Sequence, residues 1–269
     1  MSSYKSDFST RFERSDWRKL GHTDLLLSPI GLGTVKFGRN TDVKYPSPFH
    51  LPDLSQLDTF VGIAKDIGIN LLDTAPAYGD SEKIIGKILK GTRNDWIIST
   101  KVGELYQNGV STFDFSAKST RSGIENSLGR LNTDYLDIVL IHLNDEDERT
   151  LCQSEVVEEL VRLKEKGFIR SIGASTKTVA GGLLAIDLLD LVMVTYHPLD
   201  TSQSAVLEEA HKRGKGVIVK KALASGHTGN VRENLQFVLA NKSVCSAIVG
   251  TINAEHLKQN VTNALTSPG

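Results

Sequence analysis

Eight short apolar segments recur along this chain, each followed by an amphipathic stretch, and this rhythm limits the folds open to it. The segments are Ile30–Thr34, Asn70–Asp73, Trp96–Lys101, Leu136–His142, Ile169–Ser175, Leu191–His197, Gly216–Lys221 and Ser246–Gly250. They are rich in β-branched residues and apolar on both faces, as buried parallel strands are. Between them the period changes to that of a helix: Leu57, Phe60, Val61 and Ala64 form one stripe, and Val157, Leu160 and Val161 another. Further helices are expected over 121–131, 205–213, 232–239 and 254–265. Gly68, Gly167 and Gly214 stand where a helix hands over to the next strand and positive φ is wanted. Eight such units of about 30 residues predict a closed (β/α)8 barrel. An open doubly wound sheet is the alternative, but its usual glycine-rich first turn is missing: Gly31-Leu32-Gly33-Thr34-Val35-Lys36 lacks the G-x-G-x-x-G spacing.

What surrounds the repeat is ordinary. Residues 1–16 read as a polar extension without the apolar core of a signal peptide, and 17–269 as a single domain that opens with a hairpin over Trp17–Leu27. The net charge is −1 and evenly mixed, which argues against a nucleic-acid or membrane surface. No apolar run approaches the roughly 20 residues of a membrane span. Two distant cysteines, Cys152 and Cys245, fit a reducing, cytoplasmic setting and no metal site. The stretch 35–53 is long for a strand-to-helix loop; with Phe37, Tyr45, Phe49 and three prolines it is expected to cover the barrel mouth.

In such a barrel chemistry sits at the carboxyl ends of the strands. Those positions hold Asp73, Lys101 and His142, and Tyr78 follows Asp73 in the loop that leads to a helix N-capped by Ser81 with Glu82 in its first turn. Each has a plain structural reading: a solvated strand end for the lysine, a hydrogen-bonded core residue for the histidine, packing for the tyrosine. Together on three successive strand ends they suggest more. A free phenol, with a pKa near ~10, gives up its proton sluggishly. An ammonium beside it lowers that pKa, and a carboxylate would hold the ammonium in place. His142 could orient a carbonyl oxygen or relay a proton. A phenol that protonates oxygen calls for a hydride to carbon, hence a nicotinamide cofactor.

The sequence resembles the aldo-keto reductases. The motifs are Ile30-Gly31-Leu32-Gly33-Thr34, Gly68-Ile69-Asn70-Leu71-Leu72-Asp73-Thr74-Ala75, Ser99-Thr100-Lys101, and Asp134-Tyr135-Leu136-Asp137-Ile138 leading to His142. The resemblance implies an Asp73/Tyr78/Lys101/His142 tetrad, with Tyr78 the general acid in the NAD(P)H-dependent reduction of aldehydes and ketones. It also implies a small-molecule carbonyl substrate and a monomer or weak homo-oligomer.

The implied cofactor contacts are less regular. Gly33 and Thr34 end the first strand, Leu223 and Ser225 follow the seventh, and Gly250, Thr251 and Asn253 precede the last helix, where free N–H groups can meet phosphate. The family's grip on the nicotinamide aligns with Ser175, Thr176, Met193 and Lys220, of which only the serine is retained. Its basic residues for a 2′-phosphate fall at Gly250 and His256, while Asn260 matches the adenine-side asparagine. Lys220 and Lys221 are candidates for the missing charge, or Lys220 for an aliphatic stem beneath the ring. NADPH is the expected cofactor, with NADH as the alternative. The chain ends soon after the last helix, without the family's longer C-terminal loop, which suggests an open pocket walled by the 35–53 loop, Tyr196 and His197. Two other functions stay open: an NAD-dependent sugar or alcohol dehydrogenase, and a regulatory module that binds nicotinamide with little turnover.

Overall fold

The computed structural model describes residues 10–227 and 229–266. Its centre is a closed barrel of eight parallel strands: β3 (Ile30–Gly33), β4 (Leu71–Asp73), β5 (Ile97–Val102), β8 (Leu136–His142), β9 (Ile169–Ser175), β10 (Leu191–Thr195), β11 (Gly216–Lys220) and β12 (Ser246–Val249). β12 pairs with β3 and closes the ring. Every expected strand is present, with shorter ends in places. The sixth stops at Thr195, so His197 lies beyond it in an isolated bridge to Asp200. Lys221 leaves the seventh strand with a positive φ of 55°.

Ahead of the barrel, β1 (Arg18–Lys19) and β2 (Leu26–Leu27) form the expected antiparallel hairpin. It plugs the amino-terminal end. Leu20, Leu25 and Leu27 join Leu71, Ile138, Leu140, Leu191, Met193, Ile218 and Cys245 in a buried cluster separate from the main core. Arg18 donates to the carbonyls of Val244 and Leu239, and Trp17 Nε1 to that of Gly68. Asn70, just before β4, accepts from Ser28 N and donates to Leu26 O, stitching plug to barrel. Residues 1–9 of the expected polar extension lie outside the described residues. Phe12 is already buried in the main core, its N–H bonded to Ile67 O at 3.0 Å.

The helices α2 (Leu54–Asp66), α3 (Ser81–Ile88), α4 (Ala117–Leu131), α6 (Val156–Glu165), α7 (Val179–Leu188), α8 (Ser204–Lys212), α9 (Val231–Ala240) and α10 (Ala254–Leu265) surround the barrel. Short α1 (Val35–Gly38) and α5 (Asp147–Gln153) sit near its carboxyl end. α2 buries the expected Leu57, Phe60, Val61 and Ala64. On α6 the stripe is rotated: Val156, Leu160 and Leu163 face the core and Val161 is 38% exposed. Ser81 is not the N-cap of α3. Asp80 holds that position, and Ser81 Oγ bonds instead to Thr34 Oγ1 at 2.7 Å and Thr74 Oγ1 at 3.0 Å. Glu82 is wholly buried, accepting from Thr100 Oγ1 at 2.5 Å and Arg130 Nε at 2.6 Å, so it ties helix to strand rather than facing water. A second hairpin, β6 (Glu104–Gln107) with β7 (Val110–Phe113), is inserted after β5.

No helix among the described residues is long and apolar enough to cross a membrane.

Candidate active site

Parallel register brings the strand ends together: Gly33 pairs with Asp73, Asp73 with Ser99, His142 with Ser175, Ser175 with Met193 and Thr195 with Lys220. Asp73 ends β4 at 4% exposure, and Lys101 on β5 is 2% exposed. Lys101 Nζ donates to Asp73 Oδ1 at 2.8 Å, Asp73 Oδ2 at 2.9 Å and Thr74 O at 2.9 Å, which fixes its direction. Ser99 Oγ adds a bond to Asp73 Oδ1 at 3.0 Å. The Lys101 ammonium lies 4.8 Å from the centroid of the Tyr78 ring. The His142 ring stands edge-on to Tyr78 with centroids 6.4 Å apart. All four expected residues therefore meet in one place.

A tight crossing of main chains aims Tyr78. Pro76 opens the single turn Pro76–Tyr78, and Gly79 follows at φ +62°. A Cβ on Gly79 would lie 2.2 Å from Gly38 O, and one on Gly38 2.3 Å from Ser81 N, so neither position admits a side chain without moving the turn.

Electrostatics refine the expectation for the phenol. Burial raises the pKa of Tyr78, and the opposing pull of Lys101 does not overcome it; Asp73 and Glu104 push the same way as burial. The phenol therefore keeps its proton. Burial also disfavours the Lys101 charge, but Asp73 and Tyr78 outweigh it and the ammonium is held above its ordinary range. For His142 burial wins and lowers the pKa, with Glu104 opposing and Lys101 and Lys220 adding to the fall.

Glu104, at the start of the inserted hairpin, is the partner that sequence reasoning missed. Its Oε2 lies 2.7 Å from His142 Nδ1, a close contact off hydrogen-bond geometry, and Ser111 Oγ donates to Oε1 at 2.6 Å. Burial would raise its pKa, but His142, Ser111 and Arg39 bring it down to about 2. Gln107-Asn108-Gly109-Val110 carried the signal, since Asn-Gly between two strand-like runs marks a tight hairpin. Asn108 and Gly109 both take positive φ.

The other expected residues divide. Ser175 and Thr176 sit buried at the end of β9; both are bonded to Lys220, whose Nζ donates to Ser175 Oγ and Thr176 O at 2.8 Å each. Thr176 Oγ1 is buried without a partner. Leu223 and Ser225 lie in a turn where Ala224, Ser225 and Gly226 all have positive φ, two of them residues that pay for it. Thr34 is structural, its N–H and Oγ1 both bonded to Asp73 O. Met193 is 1% exposed within the cluster of the barrel floor. Asn253 caps α10 by accepting from His256 N at 3.0 Å and donating its own N–H to Thr251 Oγ1, so that helix end is partly satisfied internally. Asn260 is buried on α10.

Of the expected walls, Tyr45 and Phe49 pack edge to face at 5.7 Å, with the Lys36 ammonium 4.0 Å from the first ring and 4.8 Å from the second. Tyr45 rests on Gly250, and burial, with the charges of Tyr78 and Asp73 adding to it, pushes its pKa up to about 12. Phe37 and Tyr196 do not line the mouth. Phe37 is 1% exposed and packs edge-on to Phe60; Tyr196 stacks on Phe237 of α9 at 5.2 Å. Both are drawn into the layer between strands and helices, where a large apolar ring gains most. Among the described residues no group of three His, Cys, Asp or Glu is placed to hold a metal ion.

The chain is similar to several known proteins over most of its length. The model of the Aldo/keto reductase family matches residues 29–234. L-galactose dehydrogenase of Arabidopsis thaliana is 30% identical over 91% of this chain and 86% of its own length. The NADH-specific methylglyoxal reductase of Escherichia coli is 33% identical over 75% of this chain and 64% of its own. A crystal structure of a Pseudomonas aeruginosa protein provisionally classed with the aldo-keto reductases superposes with a TM-score of 0.90 at 44% identity, covering 97% of this chain and 98% of that one.

Proposed function

The chain belongs to the aldo/keto reductase family, and on that premise we propose that it reduces aldehydes and ketones to alcohols, a nicotinamide nucleotide supplying the hydride when bound. The observation that carries this reading is the Asp73–Lys101 pair held against the Tyr78 ring, with His142 at its edge.

Tyr78 is the general acid. Its phenol stays protonated at rest, and an alkoxide forming beside it is the stronger base, so the proton moves from the Tyr78 oxygen to the substrate oxygen. Lys101, locked by both oxygens of Asp73, then faces a phenolate whose charge it stabilises. His142 positions the substrate oxygen, and Tyr45 and Phe49 exclude water above it.

Ser175, the unpartnered Thr176 Oγ1 and Lys220 are the groups suited to hold the nicotinamide end. In the strained turn over Leu223–Gly226 the N–H groups of Ala224 and Gly226 are taken by Lys221 O and Leu223 O, so those of Leu223 and Ser225 are the ones proposed to meet a phosphate. NADPH is the proposed nucleotide, favoured by Lys221, on which the charges of Lys44 and Lys177 also act.

Tyr78→Phe is expected to cut turnover of 4-nitrobenzaldehyde by ~100-fold or more, while calorimetry still records nucleotide binding. Undiminished turnover overturns the assignment. Parallel NADPH and NADH titrations decide the nucleotide.

One observation favours a second reading, alcohol oxidation. A neutral His142 whose Nδ1 proton faces Glu104 presents Nε2 as an acceptor, suited to taking a proton from a hydroxyl. Among the relatives is one named for L-galactose dehydrogenation. Rates in both directions with one aldehyde–alcohol pair weigh the two readings.

A further inference from the structure

Lys220 closes β11 and is partly exposed at the barrel mouth. Its amine is held by two neutral oxygens, Ser175 Oγ and Thr176 O. No ion pair links it to a carboxylate among the described residues; Asp147, on α5, acts on it only through charge. The other charged groups that bear on it are cations: Lys221 beside it, Lys101 on β5 and Lys177 after β9. Ser175, to which it donates, pairs in register with His142, so the amine lies on the tetrad's side of the barrel mouth, and its charge bears on that imidazole. A lysine kept for its charge would have a carboxylate or open water. This one is largely withdrawn from water and lies among like charges, which favours the free base.

We propose that Lys220 is a carbonyl-capturing nucleophile: its amine adds to unhindered aldehydes that enter the barrel mouth and holds them as an imine. The nitrogen lone pair forms the C–N bond, and the carbonyl π pair moves to oxygen, which takes up the proton that nitrogen sheds. The resulting carbinolamine loses its hydroxyl with a second proton as water, leaving the C=N bond. No oxidant or reductant is consumed. Ser175 Oγ, 2.8 Å from Nζ, is placed to pass the protons. Burial, then the charges of Lys221 and Lys101, lowers the amine to about 7, so an appreciable share is unprotonated at neutral pH. This capture needs no nucleotide and stands independently of the reductase reading.

The test uses the full chain at pH 7 without nucleotide, treated with less than one equivalent of pyridoxal 5′-phosphate, trapped with cyanoborohydride, digested and mapped by mass spectrometry. Lys220 is expected to carry label at least ~10-fold above any exposed lysine, because its free-amine fraction is on the order of a thousandfold larger than that of a lysine titrating near 10.4. The labelling rate should rise with pH through a midpoint near the lowered value of the amine, and Lys220→Met should lose the fast phase. Label spread over exposed lysines such as Lys44 and Lys221, or a midpoint near that of free lysine, overturns the proposal. If Lys220→Met fails to fold by circular dichroism, the site map and midpoint on the unaltered chain decide alone.

Discussion

Glu104 and His142 share one contact, and each alters what the other can do with a proton. The Glu104 carboxylate is the main influence holding the imidazole pKa up against burial. Glu104→Gln removes it, so the histidine pKa falls further. Where neutral His142 accepts the substrate proton, the acidic limb of kcat/KM for alcohol oxidation should move to lower pH by about one unit or more; an unmoved limb would show that the pair is only structural. Lys220 makes a second pH-dependent case, and its sign is opposite to that of a salt-bridged lysine. Its folded pKa, about 7, lies below the unfolded value near ~10.4, so the unfolded chain binds more protons between them. Stability therefore falls as pH drops from about 10 to 7 and levels off at its lowest below that, where the folded chain must carry the proton at a site that disfavours it. Lys220→Met should raise the thermal midpoint by several degrees at pH 7, and the gain should shrink toward pH 10. An equal gain at both pH values contradicts the lowered pKa.

Elements place these residues, and the chain's own pattern reveals some elements better than others. Parallel strands were legible because burial on both faces makes them continuous apolar runs, and Asp73, Lys101 and His142 were legible because each interrupts such a run at its end. Helix α7 was not, since its Val-Ala-Gly-Gly-Leu-Leu-Ala-Ile sequence is apolar on every side and shows no stripe. The β6–β7 hairpin was hidden because its strands are short and mix polar with apolar residues, β7 being exposed throughout, and with it Glu104. Ser81 looks like a helix cap, but its hydroxyl is taken by two threonines, a choice only tertiary packing makes. The crossing of Gly38 with the Tyr78 turn gives an element-scale prediction. Gly38→Ala drives a methyl into the backbone of Tyr78, Asp80 and Ser81, and kcat should fall by ~10-fold or more. Far-ultraviolet circular dichroism should remain that of the barrel. A fully active Gly38→Ala would mean that the turn can shift without misaiming the phenol.

The molecule as a whole separates support from chemistry. The hairpin plug closes the amino-terminal end with Leu20, Leu25 and Leu27, while the tetrad, the Lys36–Tyr45–Phe49 group and Lys220 belong to the other end. Leu25→Ala should thus cost ~2–5 kcal/mol in urea denaturation and leave KM unchanged; a large change in KM would show that the two ends are coupled. A buried cysteine beneath the plug, just ahead of β12, turns this separation into a clock. Cys245 belongs to the same cluster, its thiol shielded and its pKa raised by burial, whereas Cys152 is exposed on α5. A thiol reagent should consume one equivalent at once. The second should be consumed only as fast as the barrel floor breathes open, so that a chromogenic disulfide reports the lifetime of the closed end in ordinary buffer.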